Sequence, residues 1–167
     1  SCTTPALDEE TIKRMFLDAY SKFMADRTQV VSDCNEMISI LCDTEDLEKE
    51  IKDFKSRADD IIVLVENLIA KNSTEAMPQD EFQAKYDEYD KEHQSLLNKI
   101  EKNGRLIEEK QAKAKYLKAF ITELKNQPLV LETWDEDVWS YLIDKATVNS
   151  DGTITFLFRN GKEITVD

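Results

Sequence analysis

Leu47-Glu48-Lys49-Glu50-Ile51-Lys52-Asp53-Phe54-Lys55-Ser56-Arg57-Ala58-Asp59-Asp60-Ile61-Ile62-Val63-Leu64-Val65-Glu66-Asn67-Leu68 is the most regular stretch of the chain. Its apolar positions Leu47, Ile51, Phe54, Ala58, Ile61, Val65 and Leu68 are spaced 4, 3, 4, 3, 4, 3. That is the heptad seam of an amphipathic helix that lies against another helix. Asp43 or Thr44 supplies an N-cap, and Glu45 and Asp46 suit the positive end of the helix dipole. Upstream, Asp8 to Leu41 carries a related seam on Ile12, Phe16, Ala19, Phe23, Val30, Cys34, Met37 and Leu41, interrupted at Arg27. Asp8 caps that helix, and Leu7 is placed to staple onto Ile12. No Gly or Pro separates the two segments, so both a short kink and a nearly continuous helix are open. Arg27 in the seam requires a partner or faces another domain.

Downstream, Lys71-Asn72-Ser73-Thr74-Glu75-Ala76-Met77-Pro78 is polar and ends in a proline suited to the first turn of a following helix, so it reads as a reversal. A third helix is expected from about Pro78 to Lys125, with a seam that includes Phe82, Tyr86, Tyr89, His93, Leu96 and Asn103. Its length, about 70 Å at 1.5 Å per residue, does not fit inside a globule of this mass. The arrangement expected is a long antiparallel coiled-coil hairpin over 8–127 with its tip at about 72–77. After Asn126-Gln127-Pro128 the character changes. Thr133-Trp134-Asp135-Glu136 has the capping-box pattern and opens a short helix anchored by Trp134, Val138, Trp139, Leu142 and Ile143. Ala146-Thr147-Val148, the turn Ser150-Asp151-Gly152, the alternating Ile154, Phe156 and Phe158, and the Asn160-Gly161 signal of a type I′ hairpin then predict a small antiparallel sheet. Too small to stand alone, this element over 128–167 is expected to pack at the base of the hairpin. The fold class is mainly α.

The 167 residues suit one ordinary domain, and 3 Gly with 3 Pro disfavour a β-sandwich. The longest apolar run, Ile61 to Val65, is far below the roughly 20 residues that span a bilayer. Ser1-Cys2-Thr3-Thr4-Pro5 has no basic-then-apolar secretory pattern, so the expected setting is cytoplasmic, without membrane contact. With 22 Lys and Arg against 35 Asp and Glu, a net charge of −13 opposes direct binding of a nucleic-acid polyanion.

Few residues suggest chemistry. His93, the single histidine, falls on the seam of the third helix and reads as an interfacial residue. Cys34 and Cys42 lie too far apart in sequence for a short metal-ligand pair and read as core or near-core thiols. No glycine-rich phosphate loop, nucleophile elbow or zinc-protease motif occurs, and the carboxylate runs read as helix starts or solvated faces. No catalytic or cofactor-binding residue is expected, and the segment is expected not to be an enzyme by itself.

Two stretches together resemble the C-terminal region of the large serine recombinases, the site-specific integrases and transposon recombinases of phages and mobile elements. Cys2-Thr3-Thr4-Pro5-Ala6-Leu7-Asp8-Glu9-Glu10 is similar to the junction at which the family's zinc ribbon ends in its last ligand cysteine and enters a coiled coil. Trp134-Asp135-Glu136-Asp137-Val138-Trp139, Val148-Asn149-Ser150-Asp151-Gly152-Thr153-Ile154-Thr155-Phe156 and Asn160-Gly161-Lys162-Glu163-Ile164 resemble the short helix and hairpin with which these proteins finish. The resemblance implies that 1–7 is the remnant of the ribbon and that the catalytic domain lies outside this chain. It further implies a coiled coil that contacts other recombinase subunits and controls synapsis and directionality of DNA integration and excision, under a directionality factor. DNA would be gripped by the missing domains. The resemblance makes Cys2 the last zinc ligand of the intact parent, in which zinc is expected; the fragment itself holds no cofactor. Leu68, Ile69, Ala76 and Met77 are the expected contact residues of the tip.

Two other classes compete. A generic tethering coiled coil, homodimeric and parallel, would carry its seam through both chains, against which the reversal at Asn72 to Pro78 argues. A holdase chaperone with helical tentacles would need a larger exposed apolar patch than this tip offers.

Overall fold

The computed structural model describes residues 4–167. They form α1 (Glu9–Ala25), α2 (Arg27–Leu41), α3 (Glu45–Thr74), α4 (Gln79–Asn126), α5 (Glu136–Leu142), β1 (Ile143–Val148), β2 (Ile154–Phe158) and β3 (Glu163–Val166). The protein is mainly helical, with long helices and one small antiparallel sheet in the order β1-β2-β3. The chain divides into two compact units, one made of the residues up to Leu41 together with Lys113–Asp167, the other of Cys42–Ala112.

In the first unit, the apolar stripe of α1 is buried because a sheet and two further helices cover it. Phe16, Ala19, Tyr20 and Phe23 are fully buried with Leu124 of α4, Leu142 of α5 and Ile154, Phe156 and Phe158 of β2. The period-2 alternation of β2 aims its buried side chains at α1, and Ile164 and Val166 extend that face on β3, paired with Phe156 and Ile154. Phe23 stacks on Phe158 with ring centroids 3.9 Å apart and planes 5° from parallel.

The first unit departs from the sequence expectation at four places. The first segment is two helices, broken at Asp26, whose amide turns back to Phe23 and whose carboxylate meets Lys162 at 3.4 Å. The break frees Arg27 from the α1 register, and its guanidinium donates to the carbonyl of Gln127 at 2.8 Å. The second and third corrections are to the ends of α5: its N-cap is Asp135, which accepts from the amides of Asp137 and Val138, and Thr133 is not the capping residue. Ile143 is the C-cap of α5, its amide donating to the carbonyl of Trp139, and at the same time the first residue of β1. Fourth, Asn160-Gly161 does not form a type I′ turn, which needs positive φ at both residues; only glycines have positive φ among the described residues. Instead the Gly161 amide donates to Phe158 and the Phe158 amide to Lys162, a three-residue loop with Gly161 at φ +91. The Asn149-to-Thr153 loop repeats the pattern, with Gly152 at φ +86. In each, the side chain before the glycine accepts an amide two residues on, Asp151 from Thr153 and Asn160 from Lys162. Between α2 and α3, residues 42–44 are not helical, and the Asp43 carboxylate accepts from the Glu45 amide at 2.9 Å while Thr44 makes no side-chain cap bond.

Gly161→Ala tests this loop directly, because a Cβ there would meet nothing within 4 Å and the whole effect is conformational. A loss of about 1–2 kcal/mol in urea unfolding is expected from placing an L-residue in the left-handed region. An unchanged midpoint would contradict the assigned loop.

Asp8 caps α1 as its position suggests, accepting from the Thr11 amide at 2.7 Å. The Thr11 side chain and amide hold its carboxyl below the ordinary value of 3.8, and the Thr153 side chain and amide do the same for Asp151. Groups held low when folded stabilise the native state above the unfolded carboxylate value and lose that contribution as pH falls through the folded value. Stability is therefore expected to drop below about pH 4. The drop should be shallower in Asp8→Asn, which keeps a capping oxygen without the titration; an identical acid limb in thermal melts would refute the coupling.

The second unit is an antiparallel pairing of α3 with the first part of α4. Ala58 and Ile61 are buried against Leu96, with Phe54, Val65 and Tyr89 packed around them. The pairing direction follows from Glu50 bonding Asn103 at 2.8 Å while Arg57 approaches Glu92 at 3.9 Å. Asn103 is the single buried polar side chain among the described residues, and its bond to Glu50 satisfies it. A polar residue so placed penalises shifted registers, which leave it unpaired. Tyr86, expected on the seam, lies outside it and is exposed, stacked on Phe82. One helix covers only a narrow strip of its neighbour, and Tyr89 takes the position within it.

Candidate interaction surface

The reversal between α3 and α4 is built by side chains that close the end of α3. Ser73 and Thr74 donate to the carbonyl of Ala70, and the Glu75 amide donates to Lys71 at 2.8 Å. The Glu75 amide and the Thr74 hydroxyl satisfy the Lys71 carbonyl, the first that the helix end leaves without an intrahelical partner, while the bonds to Ala70 hold the hydroxyls against the last turn. Asn72 accepts from the Met77 amide at 3.3 Å and so turns the chain toward α4.

Of the four expected tip residues, the structure brings two together. Leu68 and Met77 are half-buried and line one groove with Leu64, Lys71, Lys85 and Tyr89. Ile69 projects from α3 away from that groove and is exposed, and Ala76 is exposed in the reversal. His93 is half-buried beside Glu66 and Asp90, on the side of the helix pair that carries Ile62 and Tyr86. Sequence periodicity places Ile61, Val65, Tyr86, Tyr89 and His93 on the seams but does not single out the groove they form with Ile62, Glu66 and Asp90.

Cys34 is fully buried, and burial, reinforced by the nearby Asp33 carboxylate, pushes its thiol up, away from the reactive thiolate. Cys42 is a half-buried free thiol. Cys2, the expected zinc ligand, lies outside the described residues. Among the described residues no three His, Cys, Asp or Glu side chains converge as a metal's ligands would. A tetrahedral zinc site would need three ligands besides Cys2. No helix among the described residues is long and apolar enough to cross a membrane.

Arg27 resolves the interruption in the first seam. Its Nη1 donates to the carbonyls of Gln127 and, at 3.4 Å, Leu124, so the cation sits at the negative end of α4. The fully buried Tyr20 donates its hydroxyl to the carbonyl of Pro128 in the same exit segment. Arg159 serves α5 likewise, its amide donating to Leu142 and its Nε to Ser140.

Comparison of the chain with protein-family models, with curated proteins and with solved structures found no match.

Proposed function

We propose that this chain is a non-catalytic segment of a site-specific serine recombinase, an antiparallel coiled-coil hairpin whose tip contacts other recombinase subunits and so controls which DNA sites pair. The observation that supports the reading best is the antiparallel pairing of α3 with α4. Their seams are spent on each other at Ala58, Ile61 and Leu96, leaving the reversal free to project toward a partner. The same pairing disfavours a parallel homodimeric tether, whose seam would have to be open to a second chain. On this reading DNA is held by domains outside the chain, as the net charge of −13 requires of it. Zinc belongs to the intact parent, the setting is the cytoplasm, and a directionality factor acts on the coiled coil.

Ile69 and Met77 replaced together by glutamate are expected to weaken self-association in sedimentation while helicity by circular dichroism stays unchanged. In the full-length parent, the same variant is expected to cleave its DNA sites but fail to pair them. Undiminished association and pairing would overturn the tip assignment.

A further inference from the structure

We infer that the groove on the Ile62 side of the α3–α4 pair is a docking site for a cationic amphipathic helix of another protein, held as a third helix on the pair. The inference goes beyond the recombinase reading and stands for any parent of this chain.

The groove is a cavity of about 190 Å³ with a floor of Ile61, Val65 and Tyr89 and rims of Ile62 and Glu66 from α3 and Tyr86, Asp90 and His93 from α4; Lys85 lies over the Tyr89 ring at 5.3 Å. Each rim belongs to a second helical stripe beside the seam, and on α4 that stripe takes in Tyr86 and His93, which the sequence places on the seam. On α3 the 3-4 spacing runs Asp59, Ile62, Glu66, Ile69; on α4 it runs Tyr86, Asp90, His93, Leu97. The four apolar members are exposed, Ile62 by 45%, Ile69 by 50%, Tyr86 by 38% and Leu97 by 41%. Two antiparallel helices that each present an apolar 3-4 stripe to the same side form the receiving face for a third helix. The span from Asp59 to Ile69 is about 15 Å, or roughly three turns of a docked helix.

Charge identifies the occupant. The polar members of the two stripes are Asp59, Glu66 and Asp90, with His93, and no lysine or arginine lines the cavity. Of the cations of this helix pair, Lys91, Lys99 and Lys102 lie on another face of α4, Lys71 and Lys85 lie in the groove of Leu68 and Met77, and Arg57 meets Glu92, while Lys55 stands one turn before Asp59, outside the lining of the cavity. A partner with leucine-like residues at 3-4 spacing and flanking lysines or arginines fills the apolar floor and pairs the carboxylates. An acidic partner is repelled, and so is a second copy of this groove.

The test uses the whole chain and a fluorescent three-heptad peptide with Leu at its a and d positions and Lys at e and g, compared with the same peptide carrying Glu at e and g. The Lys peptide is expected to bind with an affinity that falls as salt rises, and the Glu peptide not to bind. Glu66→Lys with Asp90→Lys should weaken binding about tenfold or more. Ile62→Ser with Tyr86→Ser should do the same, with helicity unchanged because these side chains are exposed. Glu36→Lys with Glu132→Lys, an equal charge change at exposed positions elsewhere, should leave it within about twofold. Equal weakening by that control pair would mean unspecific attraction to an acidic protein and would overturn the inference. So would sedimentation showing a dimer of the chain that Ile62→Ser with Tyr86→Ser dissolves, since the groove would then belong to a second copy. Because the tip variant Ile69→Glu with Met77→Glu shares only Ile69 with this face, loss of pairing in the parent and loss of peptide binding are separable results.

Discussion

Phe16→Ala is expected to lower the unfolding free energy by about 3–5 kcal/mol, the range for truncating a large buried aromatic. Phe16 is fully buried and is the hub of the aromatic cluster in its unit. Its ring meets Trp134 at 5.4 Å and Trp139 at 5.1 Å, both edge-on, and lies 6.1 Å from Phe156 and 6.2 Å from Tyr20. One truncation therefore removes contacts to α5, to the segment before it and to β2 together, and it leaves a cavity among rings whose own packing limits collapse. A loss of that size is a large share of the roughly 5–15 kcal/mol that stabilises an ordinary domain. The chain's 2 tryptophans both border Phe16, so tryptophan fluorescence in a urea titration reads this cluster directly. The midpoint should fall steeply with the slope unchanged. Phe82→Ala, at a half-buried ring stacked only on the exposed Tyr86, should cost far less. Equal effects at the two positions would mean that Phe16 is not the centre of the core.

The parts of this fold that could be read in the sequence are those set by local periodicity. The spacing of Ile51 to Val65 predicts α3 because a heptad repeats within a few residues of itself, and Ile154, Phe156 and Phe158 predict the buried face of β2 for the same reason. What escaped depends on residues distant in sequence. The end of α1 at Asp26 carries no Gly or Pro; the contacts made there, Lys162 with Asp26 and Gln127 with Arg27, exist only in the folded unit. Asn160-Gly161 is a strong hairpin signal in either turn form, and only the register of Phe158 opposite Lys162 selects the three-residue loop. Tyr86 and Tyr89 are both compatible with the seam of α4, and the choice between them is made by the width of α3. The tip residues illustrate the same limit: Leu68 and Met77 share a groove, whereas Ile69, adjacent to Leu68 in sequence, faces elsewhere.

Replacing Arg27 by methionine, which keeps most of the side-chain stem, is expected to cost about 1.5–3 kcal/mol, the range for hydrogen bonds to a charged group. The last carbonyls of α4 have no intrahelical donors, and the guanidinium supplies one while placing positive charge at the negative end of a long helix. Tyr20→Phe removes the hydroxyl that holds the Pro128 carbonyl and should cost about 1–3 kcal/mol through an acceptor left unpaired. Both side chains anchor one short exit segment, so once either is gone the other holds a loosened strand. The double variant should lose less than the sum of the single losses, with a coupling of about 0.5 kcal/mol or more. Strict additivity would show that the two anchors act independently. Alkaline pH gives a second reading of the same pair. Burial pushes the Tyr20 phenol above its ordinary value of 10, and the Arg27 charge partly offsets that rise. A group raised in the folded state contributes its full stability below the unfolded value and loses it as pH climbs toward the folded one. Stability should therefore decline above about pH 10 in the native chain, and further in Arg27→Met, where the offsetting charge is gone. In Tyr20→Phe this component of the alkaline limb is absent, and an unaltered alkaline limb in that variant would refute the assignment of the limb to Tyr20.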